Sequence, residues 1–476
     1  MDFIPHVIDG QEVESVSGAR FPDVDPWTQE AYAEVALGDA ADAARAVAAA
    51  RRAFGEGPWP RMGFAERGAL IHGFADLLDA HASDLAMADT RDMGKPITDS
   101  RGKDAPRTAL NFRFFADHAR LSTSHAYPMD TGHHAYARHE PAGVAVAIAP
   151  WNFPMMLESW KVAPALAWGN TVVLKPAEDT PASATLMARL ALEAGFPPGV
   201  FNVVHGFGPD SVGAALTSHR GVDRITFTGE SGTGRVIAAA AAANLVPVSF
   251  ELGGKGANLV FDDADLDNAL DWSLRAIFLN AGQVCLSGSR LYVQQGIYRE
   301  FVDRFVAGAK EMVVGDPKDA STQIGPLASA EHFKKVSSYV DAIDSEGGRM
   351  LTGGLGDGWV VQPTVVEGMP QSSRLVQEEI FGPFVVVQPF DSEDEAVRLA
   401  NDTRYGLNAM VFTENLSRAH RVSAALRAGT IWVNCFFIRE LRAPFGGFGD
   451  SGVGREGGDY SREFFTEPKA VVMAIS

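Results

Sequence analysis

The chain has 476 residues, with 41 Lys and Arg against 60 Asp and Glu and a formal net charge of −19, a balance that repels nucleic-acid phosphate and excludes that class of partner. Hydrophobic residues at 46% and charged residues at 21% are ordinary globular usage, which excludes a disordered, collagen-like or coiled-coil chain, and the length predicts roughly two to four domains. Two cysteines are too few for a disulfide framework or a Cys-rich zinc cluster, no apolar run approaches the roughly 18–20 residues of a membrane span, and the start lacks the pattern of a secretory signal, so a cytoplasmic protein with no metal and no membrane partner is expected.

Asp39 reads as the N-cap of a helix over 39–54. Leu70, Ile71, Phe74, Leu77, Leu78, His81 and Leu85 recur at three- to four-residue spacing and predict a second helix over 62–90, stopped by Gly94 and Pro96. Residues 123–141 alternate around Asp130-Thr131-Gly132, which predicts a protruding hairpin. From residue 144, short β-branched runs at 144–149, 171–175, 200–204, 223–228 and 248–251 alternate with helix-length Ala- and Leu-rich stretches, and a second such set runs from 257 to 433. That alternation predicts parallel α/β sheets, in two domains joined near 251.

Several residues could carry chemistry. Cys285 lies in the small-residue loop Asn280-Ala281-Gly282-Gln283-Val284-Cys285; a free cysteine is most often an inert small hydrophobe, and this one would need help to become a thiolate. Glu251 closes an apolar strand, as a turn-capping carboxylate or as a general base raised by burial. Asn152 turns the chain after a strand, or aims its amide at an oxyanion. The Phe227-Thr228-Gly229-Glu230-Ser231-Gly232-Thr233-Gly234 turn opens a helix whose N–H groups suit a pyrophosphate, although it lacks the three-glycine fingerprint. Lys175 and Glu178 belong to a solvated loop or bind ribose hydroxyls.

Taken together, these segments resemble the aldehyde dehydrogenase superfamily along nearly the whole chain, through PWNFP at 150–154, KPAE at 175–178, FTG at 227–229, ELGGK at 251–255, GQVC at 282–285, EIFGP at 379–383 and PFGG at 444–447. The resemblance implies an NAD-binding domain over 1–122 and 142–250, a catalytic domain over 251–433, an oligomerisation arm from 123–141 and 455–476, and a substrate-loop return segment over 434–454. It implies a homodimer or homotetramer. Cys285 would be the nucleophile, Glu251 the base for the hydrolytic water, Asn152 and the Cys285 N–H the oxyanion donors, and Glu456 part of a water and proton relay. Lys175 would serve the catalytic and the ribose sites alike. NAD contacts would come from Pro150, Trp151, Lys175, Glu178, Gly208, Phe227, Gly229, Gly234, Leu252, Glu379 and Phe381, with Glu178 repelling the 2′-phosphate of NADP. Glu230 stands where the family often has serine, and no pyrophosphate contact is assigned to it.

The segments 439–447 and 454–458, with Pro106, Arg107, 111–115 and 249–261, are similar to the 2-hydroxymuconic and 5-carboxymethyl-2-hydroxymuconic semialdehyde dehydrogenase group. Such substrates carry carboxylates, and arginine suits them. The expectation is a clamp of Arg107, Arg442 and Arg439 at the mouth of a substrate tunnel walled by Phe153, Trp160 and Phe436; the alternative is that the arginines form surface ion pairs. Rival substrates are betaine aldehyde, succinic semialdehyde or aliphatic aldehydes in general. An inactive structural homologue is disfavoured because Cys285, Glu251 and Asn152 are all retained.

Overall fold

Two sheets organise the computed structural model, which describes residues 2–475. The first has eight strands in the order Gly452–Val453, Val248–Glu251, Arg224–Thr228, Val144–Ile148, Thr171–Lys175, Phe201–Val203, His6–Ile8 and Gln11–Val13. Its five central strands are parallel, and Val144–Ile148, Thr171–Lys175 and Arg224–Thr228 are buried at every position, as both faces of a helix-covered parallel sheet require. The chain steps outward from 144–148 to 201–203 and then returns to the other side at 224–228. The reversal opens a crevice between 144–148 and 224–228, above the carboxyl edge, where open α/β sheets bind ligands.

The second sheet has seven strands in the order Arg349–Leu355, Val361–Glu367, Phe384–Phe390, Arg290–Gln294, Ala257–Val260, Asn408–Phe412 and Thr430–Val433, all parallel except the first. Residues 252–256 link the two sheets. A Cβ on Gly254 would lie 2.3 Å from the Cys285 carbonyl oxygen, and one on Gly256 2.6 Å from that of Ser287. Glycine is therefore required for the linker to lie against the cysteine loop, and Glu251 is brought to the same place.

The alternation in 123–141 appears as Ala126–Tyr127 and His133–Pro141, joined by the antiparallel strand Thr466–Ala474. The first helix is Ala40–Gly55, with the Asp39 carboxylate accepting the N–H groups of Ala41 and Asp42. The single helix expected over 62–90 is instead two, Phe64–Ala80 and Ala82–Met93, because His81 leaves helical geometry at φ −101°, ψ 18°. Ile71, Phe74, Leu78 and Leu85 join one core on both sides of that break, so their spacing could not reveal it. A further helix, Ala105–Arg120, follows the π turn Ser100–Asp104 and packs against Phe64–Ala80 and Pro154–Ala167. No helix among the described residues is long and apolar enough to cross a membrane.

Candidate active site

The cysteine loop begins where the helix Leu266–Phe278 ends. Asn280 and Ala281 both adopt φ 53°, followed by Gly282 at φ 70°. A non-glycine residue in this region costs roughly 1–2 kcal/mol, so the loop must be held from outside. The Asn280 Nδ2 donates to the Asn152 carbonyl at 2.7 Å, the Ala328 N–H donates to the Gln283 side chain at 3.0 Å, and a Cβ on Gly282 would lie 2.0 Å from the Gly382 carbonyl oxygen. Asn152 also donates through Nδ2 to the Gln283 carbonyl at 2.9 Å. That bond uses one of two amide protons and sets Asn152 against the segment that presents Cys285.

Burial pushes the Cys285 thiol up to about 12; the Glu379 and Glu251 carboxylates push the same way and Arg439 opposes them. Glu251 is buried at the end of its strand with both carboxyl oxygens unpartnered among the described residues. Desolvation, then the neighbouring Glu456, raises it well above the usual carboxylate range, against Lys161, Arg439 and Arg455. Glu456 accepts from Lys161 Nζ at 3.0 Å and from the Thr226 hydroxyl at 3.3 Å, and Lys161 donates to Thr226 at 3.0 Å. Sequence reasoning missed Lys161. Its signal was a lysine in the largely apolar helix Pro154–Ala167, where a charged side chain is rarely buried without a partner.

The carboxyl edge of the first sheet collects the residues expected at a cofactor. Pro150 and Trp151 follow one strand; the Trp151 ring meets Phe381 edge-on at 5.3 Å and His332 at 4.9 Å. Lys175 is buried, lowered by that burial, and donates to the Pro176 carbonyl at 2.9 Å and to Glu178 at 3.4 Å. Gly208 follows Phe201–Val203, with its Cα 2.9 Å from where a Cβ on Gly213 would stand. A Cβ on Gly229 would lie 2.4 Å from the Phe227 ring, and one on Gly234 2.8 Å from Leu252. Between these glycines the helix Ser231–Ala242 starts without a side-chain cap, so its first N–H groups stay open. Glu379 accepts from the Gly254 N–H at 2.8 Å and is pushed up to about 7 by burial. Glu230 has its carboxylate 3.8 Å from Lys335 Nζ in an exposed ion pair. Open amides at a helix start, two glycines at close approaches and a buried lysine beside a carboxylate fit a dinucleotide.

Beyond Cys285, the buried Trp160 ring stands between two guanidinium groups, Arg107 at 5.8 Å and Arg439 at 5.0 Å from its centre, and Arg439 also lies 3.6 Å over Phe445. Burial and then Arg107 push Arg439 down to about 10, while Glu251, Glu456 and Cys285 oppose the shift. One terminal nitrogen of Arg439 is buried without a partner among the described residues. Arg442 departs from expectation. It is exposed and gives a two-pronged pair to Glu440 at 2.9 and 3.1 Å, because the Ala443 N–H bonds back to the Glu440 carbonyl at 3.1 Å and turns the chain between the two arginines. Phe436 is buried against Trp432 and Phe437, each at 5.4 Å, while Phe437 stacks on Phe153 at 5.9 Å. The aromatic partner of Phe153 is thus the residue after the one expected, turned there by its positive φ of 64°.

The model of the aldehyde dehydrogenase family matches residues 13–471, and the chain belongs to that family. It is 47% identical to a 2-hydroxymuconic semialdehyde dehydrogenase of Pseudomonas sp. (strain CF600), covering 100% of both chains. It is 46% identical to a 2-aminomuconic 6-semialdehyde dehydrogenase of Pseudomonas sp., over 98% of this chain and 97% of that one. Among solved structures, an NAD+ complex of an aldehyde dehydrogenase from Bacillus cereus superposes with a TM-score of 0.98 at 40% identity, covering 100% of this chain and 97% of that chain.

Proposed function

We propose that the protein oxidises a carboxylated semialdehyde of the 2-hydroxymuconic type to the corresponding carboxylate, with NAD as hydride acceptor. The observation that carries the substrate class is the pair Arg107 and Arg439, which form no salt bridge among the described residues, on either side of Trp160. Buried guanidinium groups are normally paired, and a carboxylate supplies the missing partner with planar, two-pronged geometry. The same pair repels the quaternary ammonium of betaine aldehyde. The activities named for the two Pseudomonas relatives support the reading.

The Cys285 thiol releases its proton to solvent and attacks the aldehyde carbon as the thiolate, and the alkoxide that develops accepts hydrogen bonds from the free amide N–H of Asn152 and from the Cys285 N–H. NAD, when bound, accepts the hydride. Pro150, Trp151, Gly208, Phe227, Gly229, Gly234 and Leu252 shape its bed; Lys175 and Glu178 hold the adenosine ribose, and Glu379 with Phe381 the nicotinamide ribose. Glu178 in this place disfavours a 2′-phosphate. Glu251 then takes a proton from the water that hydrolyses the Cys285 thioester. Glu456, held by Lys161 and Thr226, is the onward site for that proton.

The cofactor domain, 1–122 and 142–250, follows the first sheet and the catalytic domain, 251–433, the second. The arm, with edge strand Thr466–Ala474 and exposed Val472 and Met473, supports assembly of a homodimer or homotetramer by edge pairing. Free Cys285 and Cys435 suit the reducing cytoplasm. The test is NADH formation with 2-hydroxymuconic semialdehyde, succinic semialdehyde, betaine aldehyde and benzaldehyde. The carboxylated ring-cleavage aldehyde should exceed benzaldehyde in kcat/KM by about 100-fold, the worth of two charge-assisted hydrogen bonds; equal values overturn the substrate assignment.

A further inference from the structure

Arg107 could swing freely at the end of a long side chain, yet its Nε donates to the side-chain oxygen of Asn111 at 2.8 Å. Asn111 lies one turn further along the helix Ala105–Arg120 and is itself buried. Its Nδ2 donates to the Ser159 hydroxyl at 2.9 Å and to the Met156 carbonyl at 3.3 Å, and the Ser159 hydroxyl donates onward to Met156 at 2.8 Å. The direction of this chain is fixed. A flipped amide would set NH2 against the Arg107 Nε–H and its oxygen against the Met156 carbonyl, two repulsive contacts in place of two bonds. The Arg107 Nε is thereby engaged, while its two terminal nitrogens have no protein partner among the described residues and remain for a ligand. Ser159 immediately precedes Trp160, so the helix that places the aromatic wall also places the acceptor that orients Asn111.

We infer that Asn111 is a positioning residue for substrate specificity: with Ser159 it locks Arg107 in the orientation that receives the substrate carboxylate. The inference rests on the proposed carboxylated substrate, which Arg107→Ala tests separately.

The readout is the ratio of kcat/KM for 2-hydroxymuconic semialdehyde to that for benzaldehyde. Asn111→Ala should lower the ratio about tenfold, mainly through KM for the carboxylated aldehyde, since one oriented charge-assisted contact is at stake. Asn111→Asp keeps an acceptor for Arg107 but adds a negative charge beside it, so it should lower the ratio at least as far; a packing role would leave this isosteric change nearly neutral. Ser159→Ala, which leaves the helix intact, should lower the ratio in the same direction by about two- to threefold, and keeps the test open if a variant at 111 fails to fold. A fall in Arg107→Ala with no change of ratio in Asn111→Ala and Ser159→Ala overturns the positioning role alone. Equal losses on both substrates overturn it as well. No change of ratio in Arg107→Ala overturns the carboxylate site and the inference with it.

Discussion

At the reaction end of the site the buried charges can be discharged by protonation; at the arginine end they cannot. Cys285, Glu251 and Glu379 are all pushed up by burial, so each keeps its proton to a higher pH than it would in water and the cost of a buried anion is reduced. Arg439 is pushed down only to about 10, so near neutral pH it stays cationic, and so does Arg107. The first region is therefore poised to exchange protons during a reaction. The second carries a charge that only an incoming anion balances. On the proposed function, one end does chemistry on any aldehyde it receives, and the other decides which aldehyde arrives.

The sharpest way to break this division is at the nucleophile. Cys285→Ser should lower NADH formation by at least about 10³-fold for carboxylated and neutral aldehydes alike, because an alcohol in this buried, acid-lined place is a far weaker nucleophile than a thiol. NADH assays with both substrates check it. A loss confined to one substrate would mean that the two ends are not separable.

Glu251→Gln should give a burst of NADH close to one per active site and then a steady rate lower by roughly 10²-fold, the usual contribution of a general base. The sign of the pH dependence follows from the raised carboxyl: the base form appears only as pH climbs through its elevated pKa, so the wild-type steady rate should rise with pH, and Glu251→Gln should lack that rise. Stopped-flow and steady-state assays across pH separate the phases. Full turnover in the variant removes Glu251 as base.

Much of this was legible in the sequence wherever one residue type at one position dictates the local geometry. The Asp39 cap, the alternation in 123–141 and the glycines of 251–256 are local signals, and the structure realises them locally. What stayed illegible depends on contacts distant in sequence. The break at His81 is invisible because both helices lean on the same core. Lys161 gains its meaning from Glu456, 295 positions away, and Asn111 from Ser159, 48 positions away. Arg439 and Arg442 lie three residues apart, the spacing of one helical face, yet a turn rather than a helix joins them.

That pair offers the finest test of the comparison. Arg439 is half-buried beside Trp160 with one terminal nitrogen buried and unpartnered among the described residues, whereas Arg442 is exposed and already paired with Glu440. Removing Arg439 should raise KM for 2-hydroxymuconic semialdehyde by roughly 10- to 100-fold, the worth of a buried charge-assisted hydrogen bond. It should also slow every aldehyde somewhat, since Arg439 opposes the upward push on Cys285 and Glu251; the measurement that counts is therefore KM on the carboxylated substrate relative to benzaldehyde. Arg442→Ala should leave that ratio within about twofold, because a solvent-screened surface pair contributes little. A ratio as strongly disturbed by Arg442→Ala as by Arg439→Ala would place the anion outside the Trp160 pocket and make burial irrelevant to its recognition.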